Sequence, residues 1–260
     1  MKKFRKITNK PLKNLNDLDL NVVRKNEIGS VVRNTEVDKY LKQLFDYVNK
    51  NSDRTMIGVE NNGKVYLSNQ VKSSASRKKL YTFPEPNPIC LYFNIANENL
   101  EKSAILKNKI LSKKQNFDAI EDFELFSKYF SLTTQGIVFL VTTVEGFINQ
   151  FFEDKEYIID EETMERKDLE WAKLKVKLDL IIPTLLNIKF SELHYKEYQR
   201  ILNTNILRND LIHLKRTEKG NNTWYQELFK QLLDYNHHKN SEAVFKLLNT
   251  LKPDYFETQK

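Results

Sequence analysis

The feature that most restricts this chain is Gly136–Phe152, GIVFLVTTVEGFINQFF, within a helix expected over Leu132–Phe152. Ile137, Val138, Phe139, Leu140, Val141, Val144, Phe147, Ile148, Phe151 and Phe152 leave it almost no polar side. A helix apolar nearly all round is buried on most sides, so other helices must surround it. Thr142, Glu145 and Asn149 fall at i, i+3 and i+7 and form one polar stripe. A buried carboxylate is costly unless paired, so Glu145 demands a cation or donor from another element. Gly146 beside it removes a side chain and would admit a second helix or a substrate. Glu145 and Asn149 also interrupt the run short of the roughly 20 clean apolar residues that span a bilayer. The basic MKKFRKITNK start is not followed by an apolar stretch of signal-peptide length. A soluble, cytoplasmic protein with no membrane partner is expected.

Helical spacing continues on both sides of this segment. The candidates are Glu98–Lys113, Phe117–Phe130, Asp168–Ile182, Tyr198–Lys215, Thr223–Tyr235 and Ser241–Leu251. Thr223 and Ser241 read as caps, Gly220-Asn221 as a break, and Pro183 as the end or kink of the helix over Asp168–Ile182. Earlier residues differ. Residues 1–30 read as a basic, partly ordered arm, and a helix is expected from Thr35. Thr55–Val59 and Lys64–Ser68 flank Glu60-Asn61-Asn62-Gly63, a hairpin signal. The basic loop Ser73–Lys79 and the proline-rich Phe83–Pro88 then lead to Ile89–Ile95, expected as a buried strand. The fold class is therefore mainly α: a small basic α+β region over residues 1–115, then a helical bundle over residues 116–260.

Charge sharpens this division. Residues 1–115 carry 23 Lys+Arg against 11 Asp+Glu, a surplus of 12, and residues 116–260 carry 19 against 24, a deficit of 5. A basic module beside an acidic one suits a polyanion, with RNA, DNA and an acidic membrane surface all eligible. Arg77, Lys78 and Lys79 are the strongest candidates in its loops. A merely solubilising lysine surface accounts for the same numbers.

Familiar catalytic motifs are missing. The chain has no glycine-rich phosphate loop, no His-Glu-x-x-His and no Gly-x-Ser-x-Gly, and its single cysteine, Cys90, excludes a disulfide framework or a multi-cysteine zinc site. No metal or cofactor is expected. Of four histidines, His237-His238 reads as a solvated helix end and His194 as structural. His213 stands apart. It follows Arg208-Asn209 on an amphipathic helix, with Asn209 and His213 on one face. Arg208, five residues away, lies about 140° around the helix. The two meet at one phosphate only if the helix starts near the arginine or a second copy contributes its own pair. Arg208 or His213 is the natural partner for Glu145, and a purely structural Glu–Arg ion pair would use the same residues.

The string Arg208-Asn209-Asp210-Leu211-Ile212-His213 resembles the Arg-x(4–6)-His signature of the HEPN superfamily, including the polar residue after the arginine. The helix with Thr142, Glu145 and Asn149 resembles that superfamily's first long helix, and the similarity covers roughly residues 116–251. The resemblance implies a four- or five-helix bundle that homodimerises with its motifs facing each other. It also implies metal-independent endoribonuclease activity of the toxin–antitoxin, abortive-infection or antiviral-defence type, with Arg208, Asn209, His213 and Glu145 as the active residues. Other members only bind. Lys215 stands where a subset of the family has a tyrosine modified by a partner nucleotidyltransferase, so control by that route is not expected. Lys215 and Arg216 would instead contact RNA. A toxin-like activity implies an antitoxin or other regulatory partner. The alternative is a non-catalytic nucleic-acid-binding or partner-regulated interaction protein.

Overall fold

Asn87-Pro88 starts the first long helix. The Asn87 side chain accepts from the backbone N–H groups of Ile89 at 2.9 Å and Cys90 at 3.4 Å, and Pro88 follows in the first turn, where its missing N–H costs nothing. Helix α1 then runs Pro88–Ser112. The strand expected at Ile89–Ile95 is therefore helical. Ile89, Cys90, Phe93, Ala96 and Leu100 recur on one buried helical face, a spacing that the short apolar run Ile89–Ile95 does not distinguish from a strand.

The computed structural model describes residues 4–9, 55–59, 65–72, 80–84, 86–113, 119–152, 157–159, 166–214, 225–253 and 255–259. The chain divides into Lys10–Pro86 and a unit made of Met1–Asn9 with Asn87–Lys260. The division expected after residue 115 thus falls after Pro86, because α1 belongs to the helical unit. This redistributes the charge. Lys10–Pro86 carries 14 Lys+Arg against 9 Asp+Glu, and the helical unit 28 against 26. The apparent basic half is largely a consequence of where the line was drawn.

Lys10–Pro86 contains a three-stranded antiparallel sheet in the order β2 (Thr55–Val59), β3 (Val65–Lys72), β4 (Leu80–Pro84). The two expected strands do pair antiparallel, but Val59 faces Val65, one residue away from the Val59–Tyr66 register that a two-residue Asn62-Gly63 turn would set, while β3 runs on past Ser68 and β4 was not anticipated. The helix expected from Thr35, the Asn-Gly turn and the loop Ser73–Lys79 lie outside the described residues.

In the helical unit, β1 (Lys6–Asn9) pairs antiparallel with β7 (Phe256–Gln259). Ile7 is fully buried, and the Asn94 amide on α1 clasps its backbone, accepting from its N–H at 2.9 Å and donating to its carbonyl at 2.8 Å. The part of the basic arm that is described is thereby fixed to the unit.

The segments expected as two helices, Phe117–Phe130 and Leu132–Phe152, form one 31-residue helix, α2 (Ala119–Asn149). Ser131 does not break it, and its hydroxyl accepts from Gln135 one turn on. Its face of Ile137, Leu140, Val144, Phe147 and Ile148 is buried in the core. α1 packs tightly against Gly136, where an added Cβ would lie 2.6 Å from Leu100 Cγ and Cδ2 and 3.3 Å from the Ala96 carbonyl. Leu100 is fully buried and has no room to yield. Gly136→Ala is expected to destabilise the fold by about 1–3 kcal/mol, read as a lower urea midpoint at unchanged m-value. Gly146→Ala, whose Cβ would meet only the flexible tip of Ile89 at 3.2 Å, should cost less. The neighbour that Gly146 admits is therefore α1, through Ile89.

A short pair, β5 (Tyr157–Ile159) and β6 (Arg166–Asp168), precedes a single 3-10 turn at Leu169–Trp171. The α-helix expected over Asp168–Ile182 is instead α3 (Leu174–Val176), a π turn (Lys177–Ile181) and α4 (Ile182–Leu186). Pro183 explains the widening: it has no N–H for an i−4 bond, and its ring would clash with the Asp179 carbonyl in a regular helix. α5 (Phe190–Leu193) leads to α6 (Tyr195–Ile212), then α7 (Gln226–Asp234) and α8 (His237–Leu251). Asn236, rather than Ser241, caps α8, accepting from the Lys239 N–H at 3.1 Å. Ser241 is buried within α8 and donates to Asn97 on α1 at 2.5 Å.

Candidate functional site

The polar stripe of α2 finds its partners in three different ways. Thr142 turns back on its own helix, donating to the Val138 carbonyl at 2.9 Å. Glu145 receives the Arg208 guanidinium of α6, Nη2 to Oε1 at 2.6 Å. Asn149 accepts from Lys177 Nζ at 2.7 Å. Opposite charge inside a mostly apolar helix pair is thus matched by a short, charge-assisted bond. The Arg208 side chain is 19% exposed and Glu145 36% exposed, so the pair sits at the edge of the core with access to solvent.

Arg208 lies just before the last turn of α6, which ends at Ile212, three residues short of the expected Lys215. His213 is the capping residue, its backbone N–H bonded to the Asn209 carbonyl at 2.8 Å. Both Asn209 and His213 are exposed. Among the described residues, no hydrogen bond or ion pair joins either side chain to Glu145 or Arg208. The structure therefore brings Glu145 and Arg208 together and leaves Asn209 and His213 apart from them on the adjoining surface. Lys215, Arg216, Arg77, Lys78 and Lys79 lie outside the described residues.

Lys177 is the residue that sequence reasoning missed. It is 3% exposed, donates to Asn149 and to the Glu170 carbonyl at 2.7 Å, and stands 5.7 Å from the centre of the Phe152 ring. Burial pushes its ammonium pKa down, while Glu145 and Glu170 pull it back up. Its place in a π turn is the signal, since such turns gather at functional sites. Pro183, six residues on, was the readable hint.

His237 also departs from expectation. Instead of a solvated helix end, it is 4% exposed at the start of α8, with Nε2 3.1 Å from Ser103 Oγ, which in turn bonds Thr133. Burial, reinforced by Lys107 nearby, pushes its pKa down to about 4, with the Tyr235 carbonyl opposing.

By length and composition Ile120–Asn149 is long and apolar enough to cross a membrane, and half of the apolar 18-residue window within it is buried inside the unit. Among the described residues, no three His, Cys, Asp or Glu side chains gather as metal ligands. Compared with known proteins, the chain matches no family model, no curated protein and no solved structure.

Proposed function

We propose that the helical unit is a HEPN-like, metal-independent endoribonuclease acting as a toxin or antiphage effector in the cytoplasm, under the control of an antitoxin or other partner. The observation that carries this reading is the Glu145–Arg208 pair at the solvent edge of α2 and α6, with an exposed His213 five residues after Arg208 at the end of the same helix. Glu145 holds one side of the guanidinium, and the other N–H groups of the fork have no partner among the described residues. They are free for phosphoryl oxygens, which the planar fork matches.

In the reaction, the RNA 2′-hydroxyl gives its proton to a base and its oxygen attacks the neighbouring phosphorus. The P–O5′ bond breaks, O5′ takes a proton from an acid, and the products are a 2′,3′-cyclic phosphate and a 5′-hydroxyl. Histidine suits both proton transfers near neutral pH. Arg208 would stabilise the charge building on the phosphoryl oxygens. His213 and Arg208 do not meet within one chain, so the reading includes a homodimer in which two motifs form a composite site. Asn209 and, by sequence position, Lys215 and Arg216 would contact the RNA there.

A second reading is a non-catalytic RNA-binding protein, favoured by that same separation of His213 from Arg208. One experiment decides between them. The purified protein is incubated with total cellular RNA in EDTA and the ends are analysed. Fragments with cyclic phosphate and 5′-hydroxyl ends are expected, whereas intact RNA that stays bound favours the second reading.

A further inference from the structure

A groove of about 730 Å³ opens on the helical unit between the N-terminal arm, α6 and α8. Five cations line it, Arg5, Lys196, Arg200, Lys239 and Lys246, against two carboxylates, Glu197 and Glu242. In a unit whose charges nearly cancel, this is a local concentration of positive charge. Glu242 is already neutralised, since Arg5 Nε sits 2.8 and 3.0 Å from its two oxygens while the guanidinium lies 4.6 Å over the Phe245 ring. Among the described residues, the Arg200 guanidinium reaches only Asn240 Oδ1, at 3.4 Å. Lys196, Lys239 and Lys246 are exposed, and their ammonium groups have no ion pair or hydrogen bond among the described residues. First-turn residues of both α6 and α8 line the groove, so the positive ends of two helix dipoles add to its potential. Asn249 and Thr250 add neutral polar groups to the lining.

Resting on the reading that this protein acts on RNA, we propose that this groove binds the phosphate backbone of the RNA strand, upstream or downstream of the bond presented to Arg208. Three unpaired lysines converging from two helices are point charges suited to phosphodiesters, which they neutralise without reading sequence. Arg200 and Arg208 lie on one helix, eight residues and so about 12 Å apart along its axis. At 100° per residue they are about 80° apart around it. One oligonucleotide passing along α6 therefore touches both.

The test is fluorescence anisotropy with a labelled single-stranded 2′-O-methyl RNA, which cannot cyclise, on the full chain and on the Lys196→Ala/Lys239→Ala/Lys246→Ala variant. All three side chains are exposed, so the variant should melt like the wild type. Affinity is expected to fall at least about tenfold, and the slope of log affinity against log salt to shrink by about 2, near 0.7 per lost phosphate contact. Affinity within about twofold of wild type overturns the proposal. So does equal displacement of the RNA by a mononucleotide or inorganic pyrophosphate, which would make the ligand a small phosphate. If wild type binds in this lysine-dependent way but never cleaves RNA, the catalytic reading falls and the groove stands. If it cleaves while the variant binds normally, the groove falls alone.

Discussion

Acidification from pH 7 to pH 4 is expected to remove about 3 kcal/mol of folding stability through His237 alone. In the folded chain its ring is sealed among Ser103 of α1, Tyr129 of α2 and Tyr235, with ring centroids 6.1 and 5.4 Å from the two tyrosines. Its pKa there is about 4, pushed down first by burial and then by Lys107, against 6.5 in the unfolded chain. The unfolded state therefore binds the extra proton between those two values and the folded state does not. Stability rises with pH across that window, is complete above 6.5, and is lost as pH falls from 6.5 toward 4; below 4 both states are protonated and nothing further changes. One proton over 2.5 pH units, at 1.36 kcal/mol per unit, gives the figure of about 3 kcal/mol. Urea unfolding at pH 7 and pH 4 reads it directly, with His237→Gln as the control. The variant loses packing at both pH values, but its loss on acidification should be smaller by that amount. Parallel pH dependences in the two proteins would remove His237 as the cause.

That histidine also shows where sequence reading stops. Two adjacent histidines between Asn236 and Lys239 look solvated, because a one-dimensional pattern does not contain the α1 and α2 residues that cover the first of them. Ile89–Ile95 failed differently. Its apolar run is too short for periodicity to separate strand from helix, and the deciding information was the Asn87-Pro88 start before it. That misassignment moved the domain boundary, and it inflated the charge contrast together with the arm, whose charges join the helical unit through the β1–β7 pairing. Lys177 was invisible because a lysine among alternating lysines reads as surface until a π turn rotates it inward.

What was legible followed from an energetic demand. An all-round apolar helix must be central, and α2 is. A carboxylate on it must be paired, and Glu145 is paired with one of the two residues named for it. The pairing of Thr55–Val59 with the strand after it was legible because two short β-rich runs flank turn-forming residues, but its register was not. Pairing alone does not separate a catalytic arginine from a structural one, so variants must.

Under the endoribonuclease reading, Arg208→Ala is expected to lower kcat/KM for RNA cleavage by about 10²–10³, the range for losing one preorganised charge stabiliser. His213→Ala should lower it by about 10²–10⁴ through loss of proton transfer. Because His213 is exposed and caps α6 through its backbone, its variant should melt within a degree or two of wild type. Glu145 acts through Arg208 and is a positioning residue, so Glu145→Gln should cost about tenfold, mostly in kcat, and nothing further once Arg208 is alanine. Stability separates the alternatives. Breaking a pair at the core edge, partly screened by solvent, should cost about 1–2 kcal/mol for either partner. A structural pair predicts that both single variants lose this stability while their cleavage of RNA, measured well below the melting temperature, stays at the wild-type rate. A catalytic pair predicts loss of cleavage far beyond anything the melting curves explain, and Arg208→Lys, which keeps the charge but not the fork, should not restore it.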